Sequence, residues 1–193
     1  WAYLAECKKR LSERNKGRMG ADWYGYVYKK NHVRMSIPKL LVPSLATGGC
    51  FAPDLEGRYH FVGSGGGGGG GYGVALHDGA KIDYFCLLGI LNSSLLSHFL
   101  RSISTPFRGG YIALNRQYIE QLPIAVPSDD VAAVLHRLVK ELLKLYQQIM
   151  TVKSPPDKEA LSRQIGGIEG QIDGLVCGLY GVKPEDVVGA SGG

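Results

Sequence analysis

Residues 131–152, VAAVLHRLVKELLKLYQQIMTV, carry a long apolar repeat. Their apolar positions recur at alternating spacings of four and three residues, and so do those of residues 161–179. This spacing is typical of the seam of a coiled coil. Ser154-Pro155-Pro156, between the two repeats, is suited to end one helix and begin the next. We therefore predict two antiparallel helices within residues 128–188, with Ser128 as the N-cap of the first.

The second predicted helix is rich in glycine. Each glycine weakens an isolated helix by up to about 1 kcal/mol, so this helix needs support from tertiary contacts. The same positions leave a face without side chains, which another helix or domain could approach closely. The glycines are Gly166, Gly167, Gly170, Gly174 and Gly178.

Residues 1–127 are irregular and rich in glycine, tyrosine and proline. Short β-prone runs predict strands at 23–28, 39–43, 58–62 and 111–114, and residues 81–100 are predicted to be helical with possible breaks at Gly89 and at 92–94. The predicted fold is a mixed α/β (α+β) domain over residues 1–127, followed by an antiparallel, coiled-coil-like hairpin over 128–188. We expect the tail, residues 189–193, to be disordered.

The composition favours a packed protein that stays out of membranes. The chain has 193 residues, of which 45% are hydrophobic, enough for a core. No apolar run is long enough to cross a membrane and no secretory leader opens the sequence, so we expect a location in the cytoplasm. Because the chain begins at Trp1 rather than Met, we expect it to be part of a longer protein.

Basic residues are concentrated near the start of the chain. The formal net charge is +5, but residues 1–50 hold ten basic and three acidic side chains, a local excess of +7. A basic surface attracts polyanions, chiefly nucleic acid. On charge alone, a solvated basic face without a partner remains equally open.

Signatures of metal, nucleotide and nuclease sites are incomplete. The four cysteines are scattered without C-x-x-C spacing, which disfavours a zinc cluster and is typical of reduced cysteines. The glycine tract 65–71 lacks the lysine of a phosphate-binding loop and precedes an extended run rather than a helix, and its role stays open. Asp54 and Glu56 are followed by Arg58, where a metal-dependent nuclease would need lysine. We therefore predict no catalytic residue, no metal site and no bound cofactor in this chain.

Aromatic and basic residues alternate in two stretches, around 23–34 and around 101–116. Arginine and lysine neutralise phosphates or bond base edges, and tyrosine bonds phosphates or stacks on bases. The alternative is that some of the aromatic residues belong to the core. The candidate DNA-binding residues are Arg14, Lys16, Arg18, Tyr24, Lys29, Lys30, Arg34, Arg58, Arg108, Tyr111 and Arg116.

Several short motifs, taken in order, resemble one known family. Their order and spacing are similar to those of the TaqI-like C-terminal specificity domain of adenine-N6 DNA methyltransferases, which occurs in type II restriction–modification enzymes and related phage-defence proteins. The motifs are LLGILNS at 87–93, STPFRGGY at 104–111, YIEQLPI at 118–124, and IDGLV at 172–176 followed by LYGV at 179–182.

The resemblance implies a module that recognises double-stranded DNA in the major groove and directs a methyltransferase domain of the same parent protein. The family's N-P-P-[YF] motif, which holds the flipped adenine, and its glycine-rich AdoMet motif do not occur in this chain. AdoMet, and Mg²⁺ if a nuclease is fused, would therefore be bound elsewhere in the parent. Two alternatives stay open: half of a type I-like specificity subunit, and a coiled-coil scaffold that binds only protein.

Overall fold

The computed structural model describes residues 1–27, 32–61 and 70–189. Lys29, Lys30 and most of the glycine tract lie outside the described residues. The chain divides into two compact units, one of residues 1–34 and one that begins at Met35. Each unit is described separately below.

The helices and strands are short in the first half of the chain and long in the second. The helices are α1 Ala2–Glu6, α2 Lys8–Ser12, α3 His32–Met35, α4 Tyr84–Asn92, α5 Ser94–Ile103, α6 Arg116–Ile119, α7 Asp129–Thr151, α8 Pro155–Tyr180 and α9 Pro184–Gly189. The strands are β1 Lys39–Pro43, β2 Leu45–Ala46, β3 Ala52–Asp54, β4 Gly71–Val74 and β5 Ile112–Ala113. This arrangement confirms the predicted mixed α+β class with a long helical region at its end.

The first unit is organised by aromatic contacts rather than by a sheet. Trp23 is buried, and its ring centroid lies 5.8 Å from that of Trp1 and 5.6 Å from that of Tyr24. The prediction of a strand at residues 23–28 was wrong for the described residues 23–27, which form turns. The reason is that these side chains pack on one another around a turn instead of alternating across a sheet.

The second unit contains two small antiparallel sheets. In one, β1 lies between β3 and β4, and in the other β2 pairs with β5. The register places Lys39 opposite Asp54, and the two side chains form a buried ion pair. The prediction of a strand at 58–62 was wrong for the described residues 58–61, because the backbone amides of Arg58 and Tyr59 donate to the Asp54 carboxylate instead of to a neighbouring strand.

The predicted helix over residues 81–100 is two helices. Asp83 begins α4 by accepting from the amides of Phe85 and Cys86 at 2.7 and 2.9 Å. Ser93 ends α4 and caps α5, and α4 continues through Gly89 without a break. Asp173 of α8 accepts from the amide of Ser94 at 2.8 Å and so fixes the start of α5.

No single helix among the described residues is long and apolar enough to cross a membrane. Within the part of the chain that the structure describes, only α4 and α5 taken together pass that test of length and composition, and they are bent by 61°.

The predicted helical hairpin is present. Three residues connect α7 and α8, which pack against each other, and Tyr146 of α7 donates to Glu169 of α8 at 2.6 Å. Gly181 ends α8 in the left-handed conformation, with a φ of 64°. The buried seam residues are Leu135, Leu138 and Val139 in α7 and Ile165, Ile168, Ile172 and Val176 in α8.

The hairpin does not have a core of its own. One apolar cluster joins β1, α4 and α5 to the inward faces of α7 and α8. The division of the chain into two compact units by its internal contacts falls near residue 34. The domain boundary predicted at residue 127 stays a prediction.

Replacement by alanine should have opposite effects on stability at two glycines, Gly89 and Gly170. A Cβ at Gly89 would lie 2.8 Å from Cγ2 of Val139, whereas a Cβ at Gly170 would meet nothing within 4 Å. Gly89→Ala should lower the free energy of unfolding by about 1–3 kcal/mol through overpacking of α4 against α7. Gly170→Ala should raise it by up to about 1 kcal/mol through helix propensity. Denaturant titrations that show equal stabilisation by both changes would contradict the close approach of α4 and α7.

Candidate nucleic-acid interface

An exposed loop projects from β5, and we call residues 105–113 the Arg108 loop. Its two sides are joined by bonds from the Ala113 amide to the Thr105 carbonyl at 2.9 Å and from the Phe107 amide to the Tyr111 carbonyl at 2.7 Å. Gly109 and Gly110 form the tip with φ values of 78° and 75°, a region that glycine enters without steric cost. The backbone of the loop is therefore ordered up to its tip.

The tip presents one cation between two aromatic rings. Arg108 is exposed, and Phe107 and Tyr111 retain 51% and 47% of their accessible surface. About half of each of these side chains is exposed, and Arg108 has no ion-pair partner among the residues that the structure describes. The loop therefore offers a free guanidinium and two ring faces to a ligand.

The loop is held against α6, the helix that follows it. The hydroxyls of Thr105 and Tyr118 share a hydrogen bond of 2.6 Å across the two elements. Leu114 and Leu122, on either side of α6, are buried in the core. The Arg108 loop and α6 are thus two parts of one supported surface.

Beside α6 is an open hollow of about 400 Å³ with polar walls. Tyr72 of β4 donates to Oδ1 of Asn115 over 3.4 Å, which links the sheet to the start of α6. The lining residues are Tyr72, Asn115, Arg116, Gln117 and Glu120. We call the cavity that these residues line the α6 hollow. It combines hydrogen-bond donors and acceptors within reach of a ligand at the surface.

Arg116 and Glu120 form an ion pair in the α6 hollow. Nε of Arg116 lies 3.0 Å from Oε2 of Glu120, and the two side chains are 84% and 54% exposed. Exposed pairs at this helical spacing typically contribute about 0.3–0.5 kcal/mol to stability. The pair therefore matters more for what it presents at the surface than for holding the fold.

The structure brings together three of the predicted DNA-binding residues, Arg108, Tyr111 and Arg116, within the Arg108 loop and α6. Lys16, Arg18, Tyr24 and Arg34 are exposed in the first unit. Lys29 and Lys30 lie outside the described residues.

Arg14 is used within its own unit. Its guanidinium donates to the carbonyls of Leu11, Trp23 and Gly25 at 3.0, 2.7 and 2.9 Å. It thus ties α2 to the aromatic turn. A contact between Arg14 and DNA stays a prediction.

Arg58 is exposed and pairs with Glu56, while the neighbouring Asp54 is buried. Burial alone raises the pKa of Asp54, but hydrogen bonds from Lys39 and from the amides of Tyr59 and Arg58 outweigh it and hold that pKa below its usual value. Asp54 is therefore engaged in the fold. Among residues 1–27, 32–61 and 70–189, no group of three or more His, Cys, Asp or Glu side chains could hold a metal ion.

A Cys–Asp–His cluster lies where α4 meets α7. Sγ of Cys86 donates to Asp83 at 3.3 Å, and Nδ1 of His136 lies 3.0 Å from the same carboxylate oxygen. Burial, with the neighbouring Asp83 carboxylate, raises the pKa of Cys86 to about 12. The thiol stays protonated near neutrality and is inaccessible, so the cluster joins two helices and does not supply a nucleophile.

Sequence reasoning missed Tyr72, Gln117 and Glu120. The spacing of four between Arg116 and Glu120 was a readable signal for an ion pair on a short helix. Tyr72 gave no such signal, because its partner Asn115 is 43 residues away in the chain.

The surface just described is basic, polar and partly aromatic, which is the character of a binding module. The family model of the TaqI-like C-terminal specificity domain matches residues 2–124, more than half of the chain. The chain therefore belongs to this family, whose members are specificity domains rather than catalytic domains, of the kind that recognises DNA targets in restriction–modification proteins. A comparison with curated proteins found none that matches the chain.

At the tip of the Arg108 loop, a substitution at Gly110 should change stability through the backbone conformation alone. A Cβ at Gly110 would meet nothing within 4 Å, but the φ of 75° strains any ordinary side chain. Gly110→Ala should lower the free energy of unfolding by about 1–2 kcal/mol, and Gly110→Asn should cost less because asparagine tolerates this region. Thermal melts in which alanine is tolerated better than asparagine would contradict the loop conformation.

Proposed function

We propose that this chain is the target-recognition module of an adenine-N6 DNA methyltransferase of a restriction–modification system. It selects the site on double-stranded DNA, and a separate domain of the same parent protein carries out catalysis. The observation that carries the proposal is the adjacency of the Arg108 loop and the α6 hollow on a rigid frame, in a chain of the specificity-domain family.

The division of labour follows from the chemistry of each surface. Exposed cations of the first unit contact phosphates and set affinity without sequence preference. Arg108 and Arg116 contact base edges, because the loop and α6 present their guanidinium groups on a supported backbone. Tyr111 and Phe107 flank Arg108 and add ring contacts to sugars or bases.

The parent protein supplies the cofactors. AdoMet is bound by its methyltransferase domain, and Mg²⁺ is needed only if a nuclease domain is fused to it. The methyltransferase domain flips the adenine out of the stack while this module holds the site. The setting of such a system is the prokaryotic cytoplasm, where it acts in defence against phage.

The direct test is binding to duplex DNA. The chain should bind non-specific duplexes with a dissociation constant of about 10⁻⁴–10⁻⁶ M at physiological salt, and more tightly as salt falls. Selection from a pool of randomised duplexes should enrich a short sequence. Fluorescence anisotropy across a salt series measures both effects. If no duplex binds at low salt, the proposal fails and the protein-scaffold alternative replaces it.

Two sets of variants should separate base contacts from phosphate contacts. Arg108→Ala should weaken binding to the enriched sequence by about 1–3 kcal/mol and leave scrambled duplexes nearly unaffected. Lys29→Ala with Lys30→Ala should weaken binding to both duplexes alike and flatten the salt dependence.

Arg163→Ala is the matched control for Arg108→Ala. Arg163 is an arginine of α8 with a side chain that is 70% exposed, and its replacement should change neither duplex selectively. A loss of selectivity with Arg163→Ala but not with Arg108→Ala would exclude the Arg108 loop as the reading element.

A further inference from the structure

The Arg116–Glu120 pair places a donor group and an acceptor group side by side at the edge of the α6 hollow. Their hydrogen bond uses Nε of Arg116 and Oε2 of Glu120, at 3.0 Å. The two terminal nitrogens of the guanidinium remain as further donors, and Oε1 of the carboxylate remains as an acceptor. The pair therefore presents a fork of donors next to an acceptor.

Local helix energetics do not account for this pair. Arg116 is the first residue of α6 and Glu120 is its C-cap, so each charge lies at the end of the helix that favours the opposite sign. The reverse order, with the acidic residue first, is the more stabilising one. Glu159 and Arg163 of α8 have that order, with a distance of 2.9 Å and similar exposure.

The backbone under the pair is fixed. The Tyr118–Thr105 hydrogen bond holds α6 to the Arg108 loop, and the Tyr72–Asn115 hydrogen bond holds its first turn to the sheet. Glu120 in turn restrains the guanidinium of Arg116. A restrained arginine loses less side-chain entropy when it binds, and a fixed carboxylate gives the site a defined polarity.

We propose that Arg116 and Glu120 together read one G·C base pair in the major groove, an inference that rests on the proposed function. Guanine presents two acceptors there, O6 and N7, which match the arginine fork. Cytosine presents an N4 donor, which matches the free oxygen of Glu120. Guanine O6 and cytosine N4 are hydrogen-bonded to each other and lie about 3 Å apart, a spacing that two adjacent side chains can follow.

The same pair disfavours an A·T base pair at this position. Adenine presents its N6 donor to the donors of Arg116, and thymine presents its O4 acceptor to the carboxylate of Glu120. An A·T pair in the same orientation is therefore mismatched on both sides. Glu120 acts as a specificity-determining residue through this repulsion as much as through its bond to cytosine.

The test is selection from randomised duplexes with the wild-type chain, Glu120→Gln, Arg116→Ala and the control Glu159→Gln. The wild type should enrich at least one G·C position. Glu120→Gln, whose amide both donates and accepts, should reduce the preference at that position by about tenfold and admit A·T, since one polar contact of this kind separates right from wrong bases by about five- to 150-fold. Arg116→Ala should abolish the preference at the same position. Glu159→Gln should leave the enriched sequence unchanged.

The outcomes separate this inference from the function on which it rests. Thermal melts should agree for all four proteins, because both ion pairs are exposed. If Glu120→Gln enriches the wild-type sequence unchanged, or if the wild type enriches no G·C position, the inference is overturned while DNA recognition stands. If the wild type binds no duplex at low salt, the proposed function itself fails.

Discussion

The fold depends on the burial of α4 from all sides. Its residues 86–91 are all buried, and Cys86 and Ile90 have no accessible surface. A helix that is apolar around its whole circumference must be covered by other elements, and β1, β3, α5, α7 and α8 cover this one. Gly89 permits the approach of α7, and Asp83 satisfies the first amides of the helix. The sheet and the hairpin are consequently parts of a single core.

This core supports the short loop and the four-residue helix to which we assign recognition. The segment 112–114 is buried, whereas Tyr111 before it is exposed and Asn115 after it is half-buried. The hydrogen bond between Tyr118 and Thr105 holds α6 to the Arg108 loop, and the one between Tyr72 and Asn115 holds it to the sheet. Binding groups on a supported backbone lose little conformational entropy when they engage a ligand. In the function that we propose, the surface owes its specificity to the rigidity that the α4 core provides.

Patterns within short stretches of sequence predicted the long helices. The hairpin followed from a repeat of three and four residues, and the break at Ser93 followed from local polarity. The strand predictions at 23–28 and 58–62 were wrong for their described residues because side-chain contacts override propensity: Trp1 packs on Trp23, and Asp54 accepts the amides of Arg58 and Tyr59. Lys39, counted in the basic excess, is instead buried against Asp54. Arg108, Tyr111 and Arg116 were predicted from local alternation of aromatic and basic residues. The hollow that Arg116 lines also depends on Tyr72, which only the fold brings there.

The central claim is that the Arg108 loop and α6 form the DNA-binding surface. The most direct test is to measure the rates of amide hydrogen exchange with and without the enriched duplex. Arg108, Gly109 and Gly110 are exposed at the tip of the loop, so their amides should exchange rapidly in the free chain. Binding should slow exchange across residues 105–120 and leave the exposed start of α8 unchanged. Protection confined to the hairpin, with residues 105–120 unaffected at saturating duplex, would contradict the account.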